Sequence, residues 1–520
     1  MGVWTLTAIQ REDVVSRTAT NIFIISHSKG KEISEDAAHA AALSIEKKSY
    51  TAAEVAAVTT TGNRPASEVT NTYARKLSEL LLEVIRSSGV TAEQGSSSQG
   101  LLDLTGSRDF LNHDGATEAL QLMLAPGSAI SQVRLSTKSF GREAAAVAAQ
   151  AISNVLHCLT DADISDVIAG RPEEEALDVL RILSKALAAC PLLKSLNLSD
   201  NALGEKGIRA CAEVLTSLAA LESLTVQNVG CSINACAALS QILLRCAALK
   251  QLHLFNNMSD NAGAELIAQI LSRSPVMEDF RMASSRVGPQ GGIALAAGLS
   301  AGFHLARLDL SDNPMTAAVA PALAQLIALQ PGLTALNLND ASLGDRGVAA
   351  VAAAVAAGVP LLRELGLALN EVSPKGALAV AAAVASKRHL TKLNMRENEL
   401  ADLGCVLLAA AASRCTALTT LDFCGNQAHK VGAVALAKAA AGLPGIQLLA
   451  LDENCISESG LEEVRGILSA AGKGAVLGPL EENEEEDADE DDDGEYEQSG
   501  RGGAMLAALE QAMSGLAVAP

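Results

Sequence analysis

The residue types that perform catalysis are all present in this 520-residue chain, but their spacing matches no catalytic motif. The eight histidines are dispersed. The sequence has no HExxH, GxSxG or GxxxxGKS/T pattern, which would indicate a zinc protease, a serine hydrolase or a phosphate-binding loop. Pairs of Asp and Glu are frequent, yet on a repeat surface they more often form a solvated face. The sequence therefore indicates no independent enzyme.

The elements that would position any functional residue are units of an internal repeat. The pattern L-x-x-L-x-L-x-x-N first appears in LKSLNLSDN, which ends at Asn201. It recurs through ten units, with eight intervals of 28 residues and one of 29. In three units the final Asn, here called the ladder residue, is replaced. Two weaker units precede these ten, around Val133–Leu135 and around Ile164. The ladder positions are 201, 229, 257, 285, 313, 341, 370, 398, 426 and 454.

Each part of this repeat has a structural interpretation. The alternating leucines predict a short strand whose inward side chains fill a core, and the ladder Asn suits a turn whose backbone groups its amide can bond. A glycine stands six residues after the ladder position in eight units, where it would let the following Ala- and Leu-rich helix approach its neighbour. The predicted fold class is α/β: a ribonuclease-inhibitor-like leucine-rich-repeat horseshoe, a solenoid of about twelve repeats of about 28 residues.

Composition agrees with a repeat protein. Hydrophobic residues make up 49% of the chain but aromatic residues only 2%, which favours thin layers filled by Leu and Ala over one globular core. The net charge of −21 argues against non-specific nucleic-acid binding. Cys190, Cys246 and Cys415 each precede the first Leu of a repeat by three residues, which predicts core thiols in a reducing compartment rather than metal ligands. No signal peptide or long apolar span is visible, so we expect a soluble intracellular protein without membrane insertion.

The segments before the repeats predict a separate domain. Residues 1–92 have helical character in the stretches 10–20, 35–58 and 68–88, which predicts a small helical domain. Residues 93–126 predict a Ser/Gly-rich linker followed by a cap for the open end of the solenoid.

The repeat domain is predicted to occupy residues 127–478, and an acidic tail follows it at 479–499. Between Glu481 and Glu497 the tail holds thirteen acidic residues and no basic one, more than half of the net charge, which predicts disorder. Such a tail either keeps the protein soluble or contacts a basic partner. Residues 500–520 contain one short apolar helix candidate.

One departure from the repeat is a long loop. The interval from the unit at Val167 to Asn201 is 34 residues, and the additional residues surround the sequence Gly170-Arg171-Pro172. Insertions in repeat proteins map to binding edges, so this loop is a natural contact element. Arg171 could instead form a salt bridge with one of the three glutamates that follow it.

The second departure is a displaced asparagine. In LESLTVQNV the ladder residue is Val229, and Asn228 stands one residue earlier. Asn228 is either a functional residue or a cap for the same turn.

The stretch SDVIAGRPEEEALDVLRILSKALAACPLLKSLNLSDNALGEKGIRA resembles the Ran GTPase-activating protein (RanGAP) family, whose layout of a solenoid and an acidic tail also matches. Residues 1–90 resemble the WPP domain of plant and green-algal members through RTATNIF, IEKKSYTAAEVA and YARKLSELLLEVIRSSG. The motif that names the domain is altered, because Trp4 is followed by Thr5 and Leu6.

This resemblance implies a GTPase activator that orders the catalytic glutamine of Ran and supports nucleocytoplasmic transport. On the matching positions, Asn228 has the orienting role and Arg171 a supporting one, while Asp200 and Asn257 are weaker candidates for Ran contact. The implied partner is Ran-GTP, alone or with a Ran-binding protein. No cofactor is expected, because GTP and Mg²⁺ are bound by Ran. The implied location is the cytoplasm, with residues 1–92 as an anchor at the nuclear envelope.

The alternative from another class is a non-catalytic leucine-rich-repeat scaffold that binds proteins. An immune-sensor-like scaffold would carry a phosphate-binding loop, and an inhibitor-like one would lack the helical domain and the acidic tail.

Overall fold

The computed structural model describes residues 100–202, 204–218 and 220–483, together with scattered helical positions between residues 11 and 77. Compact units form at Met1–Ser98 and Gln99–Pro520. The altered motif at residues 4–6, most of the predicted linker, the acidic run after 483 and the helix candidate in 500–520 lie outside the described residues.

The described positions of the first unit are helical, as the three predicted stretches require. Tyr73 is buried there, with Val14, Tyr50 and Leu77 packed against it. Arg11 donates two hydrogen bonds of 2.7 Å to the carboxylate of Glu46. A small apolar cluster and a two-pronged ion pair therefore tie together segments that are distant in sequence.

The second unit contains a parallel sheet of thirteen strands in the order β1-β3-β5 and then β6 to β15. β2 and β4 form a separate two-stranded parallel sheet. The strands are β1 Leu101–Asp103, β2 Asp109–Leu111, β3 Gln132–Arg134, β4 Lys138–Phe140, β5 Asp161–Asp163, β6 Ser195–Asn197, β7 Ser223–Thr225, β8 Gln251–Phe255, β9 Asp279–Ala283, β10 Arg307–Asp309, β11 Ala335–Asn337, β12 Glu364–Gly366, β13 Lys392–Asn394, β14 Thr420–Asp422 and β15 Leu448–Ala450.

One helix, or a pair of short helices, connects most consecutive strands of the large sheet. None of the helices in the described part of the chain is long and apolar enough to span a membrane. The helices are α1 His113–Ala119, α2 Gln121–Leu124, α3 Arg142–Val155, α4 Glu173–Ala188, α5 Gly204–Ala210, α6 Ala212–Ser217, α7 Ile233–Ile242, α8 Asp260–Ser272, α9 Pro289–Leu299, α10 Ala320–Ala328, α11 Gly344–Ala357, α12 Pro374–Val384, α13 Ala401–Ala412, α14 Lys430–Gly442 and α15 Glu458–Ala470.

The leucine pattern and the ladder Asn do what the sequence predicts. Leu193, Leu196 and Leu198 are all buried, and such burial contributes on the order of 2 kcal/mol per side chain. The amide of Asn201 accepts a hydrogen bond from Val167 N at 2.9 Å and donates to the carbonyls of two neighbouring turns. Asn201 therefore satisfies backbone groups of its own repeat and of the preceding one. The chain is an α/β leucine-rich-repeat solenoid.

The predicted glycines and thiols lie where the helices pack. A Cβ on Gly347 would come within 3.1 Å of the Cα of Ala317 in the preceding repeat, so a larger residue would push the repeats apart. Cys190, Cys246 and Cys415 are buried, which confirms them as core thiols, and burial raises the pKa of each to about 11. Their Sγ atoms lie within hydrogen-bonding distance of backbone carbonyls.

Both ends of the repeat array extend beyond the predicted limits. At the start, β1 pairs with β3 in the main sheet, so the segment predicted as a cap is itself a strand-and-helix unit. At the end, Asn483 accepts a hydrogen bond from Asn454 N at 3.1 Å and donates to Leu480 O, as a ladder residue does. The ladder therefore includes a residue of the predicted acidic tail, because the turn after β15 still needs an amide partner.

Candidate functional site

The long loop around Arg171 is held by side chains and carbonyls of the first two repeats. The register joins Asp161 to Ser195, so 34 residues separate the strand positions on either side of the loop. Ser139, at the centre of β4, is fully buried, and its hydroxyl donates to Ala169 O at 2.8 Å. Gly170 has φ +74°, and a Cβ there would lie 3.0 Å from the ring of Phe110. The loop therefore needs a glycine at this position.

Arg171 is anchored within the protein. Its Nε donates to Ser139 Oγ at 3.0 Å, and its Nη2 donates to Ser139 O at 2.8 Å and to Leu111 O at 3.3 Å. The guanidinium lies 5.3 Å from the centre of the Phe110 ring, and Nη1 lies 3.7 Å from a carboxylate oxygen of Glu175. Only 17% of the side chain is exposed. The salt bridge named as the alternative is present, and it is one of several contacts that fix the arginine in the loop.

Asn228 belongs to a row of residues that each precede a ladder position. Asp200, Asn228 and Asn256 have φ values of 60°, 50° and 52°, in the left-handed region that, among residues other than glycine, Asn and Asp adopt most readily. Their backbone N–H groups donate to the next repeat, as in the 2.7 Å bond from Asn228 N to Phe255 O. Asn228 is therefore not a displaced ladder residue, as the sequence suggested, but the normal occupant of a second periodic position.

The side chains of this row are joined in a hydrogen-bonded chain. Nδ2 of Asn228 donates to Oδ1 of Asp200 at 3.0 Å, and Nδ2 of Asn256 donates to Oδ1 of Asn228 at 3.2 Å. All three side chains lie at the surface. The amide of Asn228 is thus both exposed and oriented.

Asp200, Asn228 and Arg171 meet at one cavity of about 1020 Å³. The basic residues of its wall are paired: Arg108 with Asp166, Arg171 with Glu175, and Lys206 with Glu173. An exposed, oriented amide and internally paired arginines can position a polar group of a partner. Of the basic residues, Arg171 is held most firmly, because its side chain is mostly buried, whereas the pairs of Arg108 and Lys206 lie at the surface. In the described residues, no cluster of three or more His, Cys, Asp or Glu side chains could hold a metal ion.

Asn257, the fourth residue predicted for this site, does not reach the surface. It is 3% exposed, and its amide accepts from Val229 N and Cys231 N and donates to Val226 O. It is therefore a ladder residue that supports the turn beneath Asn228. Its exposed neighbour Asn256 takes the place that was predicted for Asn257.

Three further residues at this edge were missed from the sequence. Asn256 could have been found by aligning the positions that precede each ladder residue, which read Asp, Asn and Asn in consecutive repeats. Phe255 and Met258 flank Asn256 and are 47% and 57% exposed, although both are large and apolar. Two such side chains beside an exposed polar chain are typical of a protein contact surface.

Comparison with protein families gives matches in both the N-terminal region and the repeat region. Residues 1–95 match the family model of the WPP domain, and residues 189–210, 332–352 and 386–409 match the model described as leucine rich repeat. The chain is 44% identical over 149 residues to RAN GTPase-activating protein 1 of Arabidopsis thaliana and 40% identical over 158 residues to RAN GTPase-activating protein 2 of that plant. The chain is similar to the plant-type RanGAPs.

The two alignments cover 28% of this chain, and 28% and 29% of those RanGAP relatives. Among solved structures, an internalin (inlF) of Listeria monocytogenes has a TM-score of 0.40 at 15% identity and covers 64% of this chain and 78% of that chain. The yeast Rad7 and Elc1 complex gives a TM-score of 0.42 at 16% identity and covers 61% and 79%.

Proposed function

We propose that this protein is a GTPase-activating protein for the small GTPase Ran. The resemblance to plant-type RanGAPs suggests the partner, and the exposed amide of Asn228 at the cavity is the observation that carries the mechanism. The chain would act on the active site of Ran and have none of its own. GTP and Mg²⁺ would be bound by Ran.

GTP hydrolysis requires an attacking water held in line and compensation of the charge that develops on the phosphate. An activator can insert an arginine finger, worth on the order of 10³–10⁵ in rate, or it can order residues of the GTPase itself. The anchoring of Arg171, whose mostly buried side chain bonds a hydroxyl and two carbonyls of this protein, argues against this arginine as the finger. An amide at Asn228 that both donates and accepts suits the second, because the glutamine of Ran also ends in an amide.

The other residues of the site take supporting roles in this proposal. Arg171 would hold the long loop in place without contacting the nucleotide. Phe255 and Met258 would bury apolar surface against Ran-GTP, which could bind alone or with a Ran-binding protein. The WPP domain would anchor the protein at the cytoplasmic face of the nuclear envelope.

Single-turnover hydrolysis of GTP by Ran, with and without this protein, tests the proposal. We expect acceleration by several orders of magnitude, and loss of most of it in Asn228→Ala with binding to Ran-GTP retained. Binding without acceleration by the wild-type protein would instead favour the scaffold alternative. Full activity of Asn228→Ala would refute the role given to Asn228.

A further inference from the structure

We infer that Asp200 and Asn256 are positioning residues that fix the orientation of the Asn228 amide, so that its NH₂ group faces Asp200 and its oxygen faces Asn256. This inference rests on the proposed function, since it concerns how Asn228 acts on the glutamine of a bound GTPase. It changes the role of Asp200 from a partner contact to an internal support, and it adds Asn256 to the site.

The backbone places the three side chains in line. Asp200, Asn228 and Asn256 occupy the same position in consecutive repeats, and β6, β7 and β8 pair in register at a constant 28-residue offset. All three residues share the left-handed conformation, so their side chains leave the backbone in the same way. The hydrogen bonds of 3.0 and 3.2 Å between them follow from this geometry.

The hydrogen bonds to Asp200 and Asn256 fix the orientation of the Asn228 amide, which would be ambiguous for an isolated asparagine. An exposed amide can rotate by half a turn and exchange its oxygen and nitrogen. An ionised Asp200 only accepts hydrogen bonds, so the end of Asn228 that faces it must be the NH₂ group. The Asn228 oxygen then faces Asn256, which supplies an N–H donor.

Asn228 keeps one N–H and one lone pair for a partner after these two bonds. That pair of groups is complementary to the primary amide of a glutamine side chain. Orientation matters here because misplacement of a positioning group by about 1 Å can cost about 100-fold in rate. The contribution of Asp200 and Asn256 would therefore appear in the rate at saturating protein and not in the concentration needed for half-maximal rate.

Substitutions that change only the donor pattern test this inference. Asn256→Asp keeps the shape of the side chain but places a second acceptor beside Asn228, whose oxygen is then repelled. We expect the saturated rate to fall about 10- to 100-fold, with little change in the half-saturating concentration. Asp200→Ala should show a loss of the same kind, whereas Asp200→Asn should retain activity within about threefold, because its amide oxygen can still accept from Asn228.

Matched controls separate this effect from backbone strain. Asp312 and Asp340 have φ values of 54° and 50° at the same position of more distant repeats, so Asp312→Ala and Asp340→Ala impose the same strain far from Asn228. Their saturated rates should equal that of the wild type. In an Asn228→Ala background, Asn256→Asp should cause no further loss, because its effect passes through Asn228.

The outcomes distinguish the inference from the proposed function. Acceleration by the wild type, loss in Asn228→Ala and full saturated activity of Asn256→Asp would overturn the inference alone. A further loss from Asn256→Asp in the Asn228→Ala background would also overturn it. No acceleration by the wild-type protein would overturn the proposed function and this inference together.

Discussion

At the residue scale, the contacts of Arg171 show an arginine that stabilises the loop in which it lies. Its guanidinium binds a hydroxyl, two carbonyls and a carboxylate, all contributed by this chain. To reach the nucleotide of a partner, the side chain would have to leave these groups unpaired, and each such buried group would cost about 1–3 kcal/mol. The contacts therefore favour a role in loop position.

The first prediction concerns the size of the effect at Arg171. Arg171→Ala should lower the rate of Ran GTP hydrolysis about tenfold, because the loop loosens while Asn228 stays in place. An arginine finger would instead cost on the order of 10³–10⁵. Single-turnover rates over a range of protein concentrations distinguish these cases.

Ser139→Ala is the informative companion to Arg171→Ala. Ser139 is fully buried and cannot touch a partner, yet its hydroxyl joins Ala169 O to Arg171 Nε. It should reproduce part of the Arg171→Ala loss. Wild-type rates in Ser139→Ala together with a loss of several orders of magnitude in Arg171→Ala would restore the finger mechanism.

The second prediction concerns binding at Phe255. Phe255→Ser removes an exposed ring next to the chain of polar side chains, so the concentration for half-maximal rate should rise about tenfold, equivalent to about 1.4 kcal/mol. The saturated rate should change little, because Phe255 lies outside the Asp200–Asn228–Asn256 chain. Phe303→Ser is a matched control, since Phe303 is also largely exposed but follows helix α9. An equal effect of both substitutions would contradict a specific contact at Phe255.

At the scale of elements, the repeat was predictable and the site was predictable only in part. The spacing of the leucines and ladder residues predicted the strands correctly, because the positions of apolar residues in the sequence indicate which side chains are buried. The position of Asn228 was misinterpreted as that of a displaced ladder residue, because the sequence of one repeat does not reveal its left-handed backbone conformation. The exposure of Asn257 was misjudged for a related reason: adjacent residues of a turn can differ completely in burial, as Asn256 and Asn257 do.

Buried polar side chains bond backbone groups near the ends of two helices, a feature that the sequence pattern did not reveal. Lys387 is 3% exposed, and its Nζ donates to Gly358 O at 2.6 Å, just beyond the end of helix α11. Gln330 occupies the corresponding position of another repeat, where its amide donates to Gly302 O at 2.7 Å and accepts from Leu305 N. Both side chains satisfy backbone groups at the end of the preceding helix.

The third prediction uses this equivalence. Burial lowers the pKa of Lys387 below its ordinary value of 10.5. Between the folded and unfolded pKa values the folded state holds fewer protons, so the contribution of Lys387 to stability increases as the pH rises towards 10.5. Lys387→Gln lacks this titrating group. Between pH 8 and pH 10, the free energy of unfolding of the wild type should therefore increase relative to that of Lys387→Gln, as measured by urea unfolding.

Lys387→Leu is the control for the hydrogen bond itself. It leaves Gly358 O without its lysine partner and should lower the free energy of unfolding by about 1–3 kcal/mol relative to Lys387→Gln. A difference between Lys387→Gln and the wild type that does not change with pH would contradict a lowered pKa for Lys387.

At the scale of the whole solenoid, we expect that a substitution in a repeat far from the candidate site lowers stability without lowering activity. In a solenoid each repeat contacts mainly its neighbours, so a local defect weakens nearby units most. The candidate site is built from the early repeats, between β2 and the turn after β8. Defects beyond β12 should therefore reduce stability and leave the site intact.

The ladder supplies a matched pair of defects for this prediction. Asn201 and Asn398 are both buried; Asn201 accepts from one backbone N–H group and donates to two carbonyls, and Asn398 accepts from two N–H groups and donates to three carbonyls. Asn201→Ala and Asn398→Ala should each lower the free energy of unfolding by about 2–4 kcal/mol, because buried backbone groups lose their partners. Urea unfolding followed by circular dichroism measures both.

Only Asn201→Ala should also lower the saturated rate of Ran GTP hydrolysis, because one of the backbone groups that it frees, Val167 N, lies at the start of the Arg171 loop. The rates must be compared at a temperature at which both variants are fully folded. An equal loss of rate in Asn398→Ala would mean that the site depends on repeats far from it. Coupling along the sheet would then be stronger than contacts between neighbouring repeats can explain.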